Sequence, residues 1–229
     1  MNISFILVEP AVPENIGAAA RAMKTMGFDE LILVNPCRYL DGPAKWLAHA
    51  STEILDNAKV FSTLKDALMN FDFVIGTTAK KRSVKYDYYP PNKLHNILQE
   101  KGNTISKAAL VFGREESGLQ NDELKLCNIV STVPIKTLTP SLNLAQAVML
   151  YAWELSGPVE QDMLTDIPNN EDSLKVLLGK AKIVLTNAGF SENSLIYSRF
   201  LERISILGKN DIQLIHSFCN KLLERENPD

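Results

Sequence analysis

The chain has 229 residues, 45% of them hydrophobic, which is enough for one good core and a small appended unit. Its net charge of −3 and isoelectric point of about 5.7 argue against a protein that coats nucleic acid, because phosphate binding relies on Lys and Arg. No apolar run reaches about 18 residues, and the first residues lack a basic, cleavable leader pattern. Neither a membrane span nor a signal peptide is therefore predicted.

Five apolar runs in the first two thirds of the chain predict β-strands. Their apolar residues are consecutive rather than alternating and are rich in Val and Ile, which is typical of strands buried on both faces. The predicted strands are Ser4–Glu9, Leu31–Pro36, Phe71–Thr78, Ala108–Gly113 and Ile129–Ile135. Helical patterns alternate with them, at Asn15–Met26, Leu64–Asn70, Asn92–Glu100, Asn121–Leu126 and Asn143–Leu155. This order predicts a parallel sheet with helices on both faces, in which ligands bind at the carboxyl ends of the strands.

The character of the chain changes at Ser156. The segment "SGPVEQDMLTDIPNNEDS" is rich in Gly, Pro, Asp and Asn and is typical of a linker. Three helical patterns follow, at about Leu174–Asn187, Ser194–Leu207 and Asp211–Arg225, separated by turn-forming residues. This tail has no strand pattern and would be marginally stable alone.

The cysteines and histidines bear on the compartment and on metal binding. Cys37, Cys127 and Cys219 are odd in number and far apart, which is typical of a reducing cytosol and predicts a cytoplasmic protein. The three histidines stand alone, and no Cys or His pair has metal-ligand spacing. No metal site is therefore predicted.

Polar and small residues follow nearly every predicted strand. The first strand leads into "EPAVPENIGAAARAM", in which Asn15 could cap a helix and Arg21 is the first long side chain after a run of small residues. The later strands lead into "GTTAKKR", "FGREESGL" and "TPSLNLAQAV". In the last of these, Ser141 alone would be an N-cap and Asn143 a loop hydrogen-bonder. No P-loop, Ser-His-Asp set or dinucleotide fingerprint is present. The residues alone predict a polar crevice without naming its ligand.

One basic run is the candidate contact for RNA. It comprises Lys80, Lys81, Arg82 and Lys85, and Tyr86, Tyr88 and Tyr89 follow it. Taken alone, such a run is more often a solvated loop.

Three of these loops together resemble the motifs of the SpoU (TrmH-type) branch of the SPOUT RNA methyltransferases. They are "ENIGAAARAM", "LVFGREESGL" and "PSLNLAQAV". The segment "ARAMKTMGF" and the helical tail are most similar to the TrmJ-like subgroup with its LasT-type members. The resemblance implies a SPOUT methyltransferase domain over residues 1–157 with a C-terminal deep trefoil knot. A linker over 158–171 and a helical extension over 172–229 would follow.

The same resemblance implies S-adenosylmethionine as cofactor, bound largely by backbone groups of the knot loops. The implied cofactor-binding residues are Thr77, Thr78, Ala79, Gly113, Gly118, Val133, Ile135, Pro140, Ser141 and Leu142. Gly113 would let the backbone approach the cofactor, and Gly118 would permit the turn back to the sheet. The implied catalytic residues are Arg21, Asn15, Glu115, Ser141 and Asn143.

The implied reaction is methyl transfer to a ribose 2′-hydroxyl, with tRNA as the first candidate RNA and rRNA as the second. Arg21 would lie near that hydroxyl, either as its base or, since arginine stays protonated, as a cation that stabilises the developing alkoxide. The family pocket forms across a homodimer, so Arg21 would act beside the partner's cofactor. The alternatives are a base nitrogen as acceptor, a catalytically idle module that binds S-adenosylmethionine or RNA, and a nucleotide-binding regulator with a Rossmann-like sheet.

Overall fold

A computed structural model describes residues 1–80, 82, 87–136, 142–157 and 173–226. The described chain divides into two compact units. One unit holds the seven strands and the helices around them, and the other groups Asn96–Ser106 with the three C-terminal helices. No described helix is long and apolar enough to cross a membrane.

The strands form one seven-stranded sheet in the order β3-β2-β1-β6-β4-β7-β5, and every neighbouring pair is parallel. Their bounds are β1 Asn2–Val8, β2 Leu31–Val34, β3 Lys59–Phe61, β4 Phe73–Thr77, β5 Tyr88–Tyr89, β6 Lys107–Phe112 and β7 Ile129–Ser131. In register, Leu31, Phe5, Leu110, Ile75 and Ile129 form one row across the five central strands. The predicted parallel sheet is confirmed. The short edge strands β3 and β5 were not predicted, and β7 ends before the predicted Ile135.

The helices of the α/β unit and of the helical unit are short to medium in length. Those within residues 1–157 are α1 Pro13–Thr25, α2 Pro43–Ala48, α3 Thr52–Asp56, α4 Leu64–Leu68, α5 Pro91–Lys101, α6 Asn121–Lys125 and α7 Leu144–Leu155. The C-terminal helices are α8 Leu174–Asn187, α9 Leu195–Ser205 and α10 Lys209–Glu226. Helix α1 ends as its glycine predicts: Gly27 has φ +85, and the Phe28 N–H donates to the Met23 carbonyl at 2.9 Å.

Both faces of the sheet are covered. On one face, Ile6 and Val8 of β1 pack in a core cluster with Leu64 of α4 and Leu124 of α6. On the other face, Phe5 of β1 stacks on Phe112 of β6, whose ring meets Tyr151 of α7 edge to face at 5.6 Å. Because successive strand residues point to opposite faces, the two layers use alternate positions of the same strands. The sheet therefore holds the carboxyl ends of β1, β6, β4 and β7 side by side.

Candidate active site

A cavity of about 320 Å³ lies at the carboxyl ends of β6, β4 and β7. Its volume is within the usual range for small-molecule sites. Eight of the ten residues expected at the cofactor site line it, namely Thr77, Thr78, Ala79, Gly113, Gly118, Val133, Ile135 and Leu142. Pro140 and Ser141 lie outside the described residues. Thr77 and Thr78 line the cavity at the end of β4, and Leu144, Ala147 and Tyr151 line it from α7.

The rigid wall of the cavity is formed by Phe112 and Tyr151, which sequence reasoning did not single out. The Tyr151 hydroxyl donates to Ser131 Oγ at 2.9 Å, and Ser131 Oγ donates to the Tyr89 carbonyl at 2.7 Å. Burial raises the pKa of Tyr151 far above its ordinary value, although the bond to Ser131 opposes this. Tyr151 therefore stays neutral and acts as a fixed wall.

The loop from Gly113 to Gly118 closes on itself. A Cβ added at Gly113 would lie 2.0 Å from the Gly118 carbonyl carbon and 2.1 Å from the Leu119 nitrogen. Gly118 has φ +67, in the left-handed region that favours glycine, and its N–H donates to the Arg114 carbonyl at 2.9 Å. Glycine is thus required at 113 by the loop's own backbone.

Glu115 joins this loop to the segment before α1. Its carboxylate accepts hydrogen bonds from the Ala11 N–H at 3.1 Å, the Val12 N–H at 3.2 Å and the Asn15 amide at 2.9 Å. Burial raises the pKa of Glu115, but the bond from Asn15 and the backbone N–H groups outweigh it and hold that pKa below its ordinary value. Glu115 is therefore a fixed, ionised acceptor.

Asn143 extends the same chain of hydrogen bonds to α7. Its side-chain amide Nδ2 donates to Asn15 Oδ1 at 2.8 Å, while its side-chain oxygen Oδ1 accepts from the Ala145 N–H at 2.9 Å. Asn143 is thus the N-cap of α7, the role that sequence reasoning gave to Ser141. Asn15 also differs from its predicted capping role, because α1 begins two residues earlier, at Pro13. Three loops that are distant in sequence meet through Glu115, Asn15 and Asn143.

Arg21 lies on α1 with its side chain exposed, and it is not among the residues that line this cavity. Its side chain makes no hydrogen bond or ion pair with any other residue in the described part of the chain. Gly17, one turn earlier, has the close approach that its small size predicts, since a Cβ there would lie 2.0 Å from the Ala44 carbonyl oxygen of α2. The small residues of α1 therefore accommodate another helix of the same chain.

Two residues of the basic run are described. Lys80 is exposed and Arg82 is half-buried, and both line the cavity mouth. The Arg82 guanidinium donates to the Ser117 carbonyl at 3.0 Å and to Asn121 Oδ1 at 3.4 Å. Lys81 and Lys85 lie outside the described residues. Arg82 is thus held against the Gly113–Gly118 loop.

Sequence reasoning placed Arg114 directly after the predicted fourth strand but gave it no role. Arg114 binds Glu9 at the end of β1 and Glu123 in α6. The only signal was the placement of charges directly after Gly113, since the partners are 105 and 9 positions away. Among the described residues, no group of three or more His, Cys, Asp or Glu side chains could hold a metal ion.

Comparison with known proteins gives two family matches in chain order. The model of the SpoU rRNA Methylase family matches residues 2–153, and that of the C-terminal domain of the tRNA/rRNA methyltransferase LasT matches residues 171–225. The chain is 43% identical over 223 residues to the uncharacterized tRNA/rRNA methyltransferase LasT of Escherichia coli (strain K12), covering 97% of both chains.

Two further relatives carry the name TrmJ. The tRNA (cytidine/uridine-2′-O-)-methyltransferase TrmJ of Cronobacter sakazakii is 36% identical over 198 residues, which cover 82% of this chain and 80% of that one. The crystal structure of TrmJ from Z. mobilis superposes with a TM-score of 0.68 at 30% identity, covering 97% of this chain and 99% of the other. The resemblance that three motifs predicted is confirmed. The chain belongs to the SpoU methylase family.

Proposed function

We propose that this protein transfers a methyl group from S-adenosylmethionine to a ribose 2′-hydroxyl of tRNA. The observation that carries the proposal is the chain of hydrogen bonds through Glu115, Asn15 and Asn143, which joins three motif loops beside one cavity. Relatives named as tRNA 2′-O-methyltransferases support tRNA as the substrate. The name LasT, given to a tRNA/rRNA methyltransferase, makes rRNA the second candidate.

The residues of the cavity fit S-adenosylmethionine. Val133, Ile135 and Leu142 offer apolar contacts for a purine ring, while Thr78 and the backbone of the Gly113–Gly118 loop offer polar groups. Glu115 and Glu116 line the same cavity, and their negative charge suits a cationic ligand. When bound, the cofactor supplies a methyl group activated by its sulfonium.

Arg21 would serve the acceptor side of the reaction. Because a guanidinium stays protonated, Arg21 stabilises the negative charge that develops on the 2′-oxygen and holds a neighbouring phosphate. Asn15 and Asn143 fix the loop geometry, and Glu115 holds the segment that leads into α1. Positioning of the two reactants supplies much of the rate in such an in-line displacement.

We infer that the site is completed by a second copy of the chain. Arg21 is exposed and absent from the wall of its own cavity. Helix α7 packs against α1 and exposes Met149 and, to 66%, Trp153 one turn further on. A symmetric dimer formed through α1 and α7 would cover these side chains and bring Arg21 beside the partner's cavity. The deep trefoil knot that the family resemblance implies belongs to the same proposal.

Charge distribution supports an RNA-binding role despite the acidic isoelectric point. Residues 158–172 carry five Asp and Glu and no Lys or Arg, whereas residues 174–226 carry eight Lys and Arg against five Asp and Glu. Residues 1–157 carry sixteen of each sign. The C-terminal helices are thus net positive and offer a surface for phosphates. In the other unit, Lys80 at the cavity mouth offers a separate cation. An activity on tRNA, with three free cysteines, is consistent with the cytoplasm.

Mass mapping of ribose methylation tests this function and separates the alternatives. Total tRNA and rRNA from cells with and without the gene would be compared. We expect at least one ribose methyl group of tRNA to disappear, to return with the wild-type gene and to stay absent with Arg21→Ala. Loss confined to rRNA would favour the second substrate. Unchanged methylation of both RNAs would contradict enzymatic activity and favour an idle binding module.

A further inference from the structure

Among the described residues at the sheet rim, Arg114 is bound by two carboxylates and one backbone carbonyl. Its Nε donates to Glu9 at 2.8 Å, and its Nη1 and Nη2 donate to the two carboxylate oxygens of Glu123 at 3.0 Å each. The Arg114 side chain is 17% exposed and that of Glu123 15%. Arg114 is one of the residues that line the cavity, and all three of its guanidinium nitrogens bind within the protein, so the side chain holds the loop in place.

The Glu9–Arg114–Glu123 cluster joins three elements. Glu9 follows β1, Arg114 begins the loop after β6, and Glu123 lies in the first turn of α6. Glu123 also accepts the Gln120 N–H at 2.6 Å and so completes a capping box at the start of α6. Arg114 Nη1 reaches the Gly118 carbonyl at 3.4 Å, which adds a side-chain link to the loop closure.

Glu9 has an unusual backbone for its residue type. Its φ is +47, in the left-handed region that non-glycine residues rarely adopt. The Glu9 N–H donates to the Val34 carbonyl at 2.7 Å, and the carboxylate binds Arg114. The hydrogen bond from Arg114 lowers the pKa of Glu9, and it raises that of Arg114. Strained residues of this kind persist where the surroundings fix them, and they cluster at functional sites.

Arg114 and Glu115 together hold both ends of one segment. Arg114 binds Glu9 at its start, and Glu115 binds Ala11, Val12 and Asn15 further along. The loop that lines the cavity and the segment that leads to Arg21 are therefore fixed to each other by two successive side chains.

We propose that Arg114 is a positioning residue, which holds the Gly113–Gly118 loop in its cofactor-binding shape and ties it to the segment before α1. The inference rests on the proposed function in naming the cofactor, while the loop geometry is a property of the protein alone. Lysine at this position would keep the charge but would lose the bidentate hydrogen bonds to the Glu123 carboxylate.

The first readout uses the full chain without cofactor. Hydrogen exchange of the Gly118 amide reports closure of the loop, because this N–H binds the Arg114 carbonyl. We expect faster exchange in Arg114→Lys and Arg114→Ala. Lys125→Ala, which breaks an exposed ion pair with Asp122 on the same α6, is the matched control and should leave exchange unchanged.

The second readout is calorimetric binding of S-adenosylmethionine with steady-state kinetics on tRNA. We expect the Kd to rise about tenfold in Arg114→Lys and more in Arg114→Ala, with the rise appearing in KM for the cofactor and little change in kcat. Glu9→Gln should weaken binding in the wild type. When Glu9→Gln is added to Arg114→Ala, the Kd should not rise further, because the Glu9 carboxylate has already lost its partner.

Unchanged Gly118 exchange and unchanged Kd in both Arg114 variants would overturn the proposal. A wild-type protein that fails to bind S-adenosylmethionine would contradict the proposed function. The exchange data alone would then decide the role of Arg114 in the loop. If Arg114→Ala does not fold, Arg114→Lys carries both measurements.

Discussion

The rim of the α/β unit and the helices α8–α10 use charged residues in opposite ways. At the rim, Arg114 and Glu115 are bound by several partners, some about 100 positions away in sequence. The three helices instead carry a net positive charge and expose large apolar side chains, among them Leu195, Leu214 and Phe218. A cofactor site needs charged side chains that several partners hold in place, whereas a surface that binds phosphates needs only exposed charges on one face. Single substitutions at the rim should therefore abolish or strongly weaken binding, whereas substitutions on α8–α10 should weaken it in small steps.

The same substitution, glycine to alanine, tests this contrast most strongly. Gly113→Ala places a Cβ 2.0 Å from backbone, so the loop cannot close and binding of S-adenosylmethionine should fall below detection. Gly179→Ala in α8 meets no atom within 4 Å and should stabilise the protein by about 0.5–1 kcal/mol. Calorimetry and thermal unfolding of both variants measure these effects. Equal affinity of the two variants for S-adenosylmethionine would contradict the contrast between the rim and the helices.

Glu115→Gln is the next largest expected effect. One carboxylate oxygen becomes an NH2 group, which then faces either the Ala11 N–H or the N–H groups of Val12 and Asn15, so donor meets donor. We expect methyl transfer to fall by about ten- to a hundredfold through loss of charge-assisted hydrogen bonds. Stability should also respond to pH: the pKa of Glu115 is lowered on folding, so its contribution is present above the ordinary carboxyl pKa and is lost as pH falls through the lowered value. Wild-type unfolding at acid pH should show this loss, and the variant should lack it.

These expectations show which parts of the molecule a sequence can predict. Five strands, the three C-terminal helices and the glycine stop after α1 follow from local patterns of apolar and turn residues. The strands β3 and β5 were missed because three and two residues carry no periodicity, and they form only by pairing with β2 and β7. Strand β7 stops at Ser131, three residues before Pro134, which lacks the N–H that a ladder needs.

The site was predictable to the extent that its motifs resemble a known family. Glu115, Asn15 and Asn143 were named together, but the capping role of Asn143 emerged only from its position at the start of α7. Glu9, Arg114 and Glu123 were missed since no spacing rule joins the end of β1 to a loop more than 100 residues later. The acceptor role of Glu115 toward backbone N–H groups is likewise invisible to side-chain patterns.

Neutralising the helical surface should have a smaller, graded effect. Lys175 and Lys182 are exposed and seven positions apart on α8, which places them on one face. We expect the double change to Gln to weaken tRNA binding about tenfold. The slope of log Kd against log salt concentration should fall by about two, one for each lost charge. The double change to Arg, which keeps both charges, is the control. Unchanged salt dependence would exclude these lysines from the RNA contact.

The last prediction concerns Lys101, a buried ammonium in the helical unit, and affects stability alone. Its Nζ donates to the carbonyls of Ser205 at 2.5 Å and Leu207 at 2.7 Å, at the end of α9. Burial lowers the pKa of Lys101 from 10.5 to about 7, so the unfolded chain binds more protons between these values and stability should rise with pH across that window. The slope attributable to Lys101 is at most about 1.4 kcal/mol per pH unit. Chemical unfolding from pH 7 to 10 should show a flatter curve for Lys101→Met, and an identical slope in both proteins would contradict this assignment.

We propose that one active site combines the cavity of one protomer with Arg21 of its partner. Two variants that are each inactive, Arg21→Ala and Gly113→Ala, would be co-expressed and assayed for ribose methylation of tRNA. Half of the randomly formed dimers would then be mixed, and each would hold one complete site, so activity should return to about a quarter of the wild-type level. Mixed dimers that are demonstrated by native mass spectrometry but remain inactive would contradict the account.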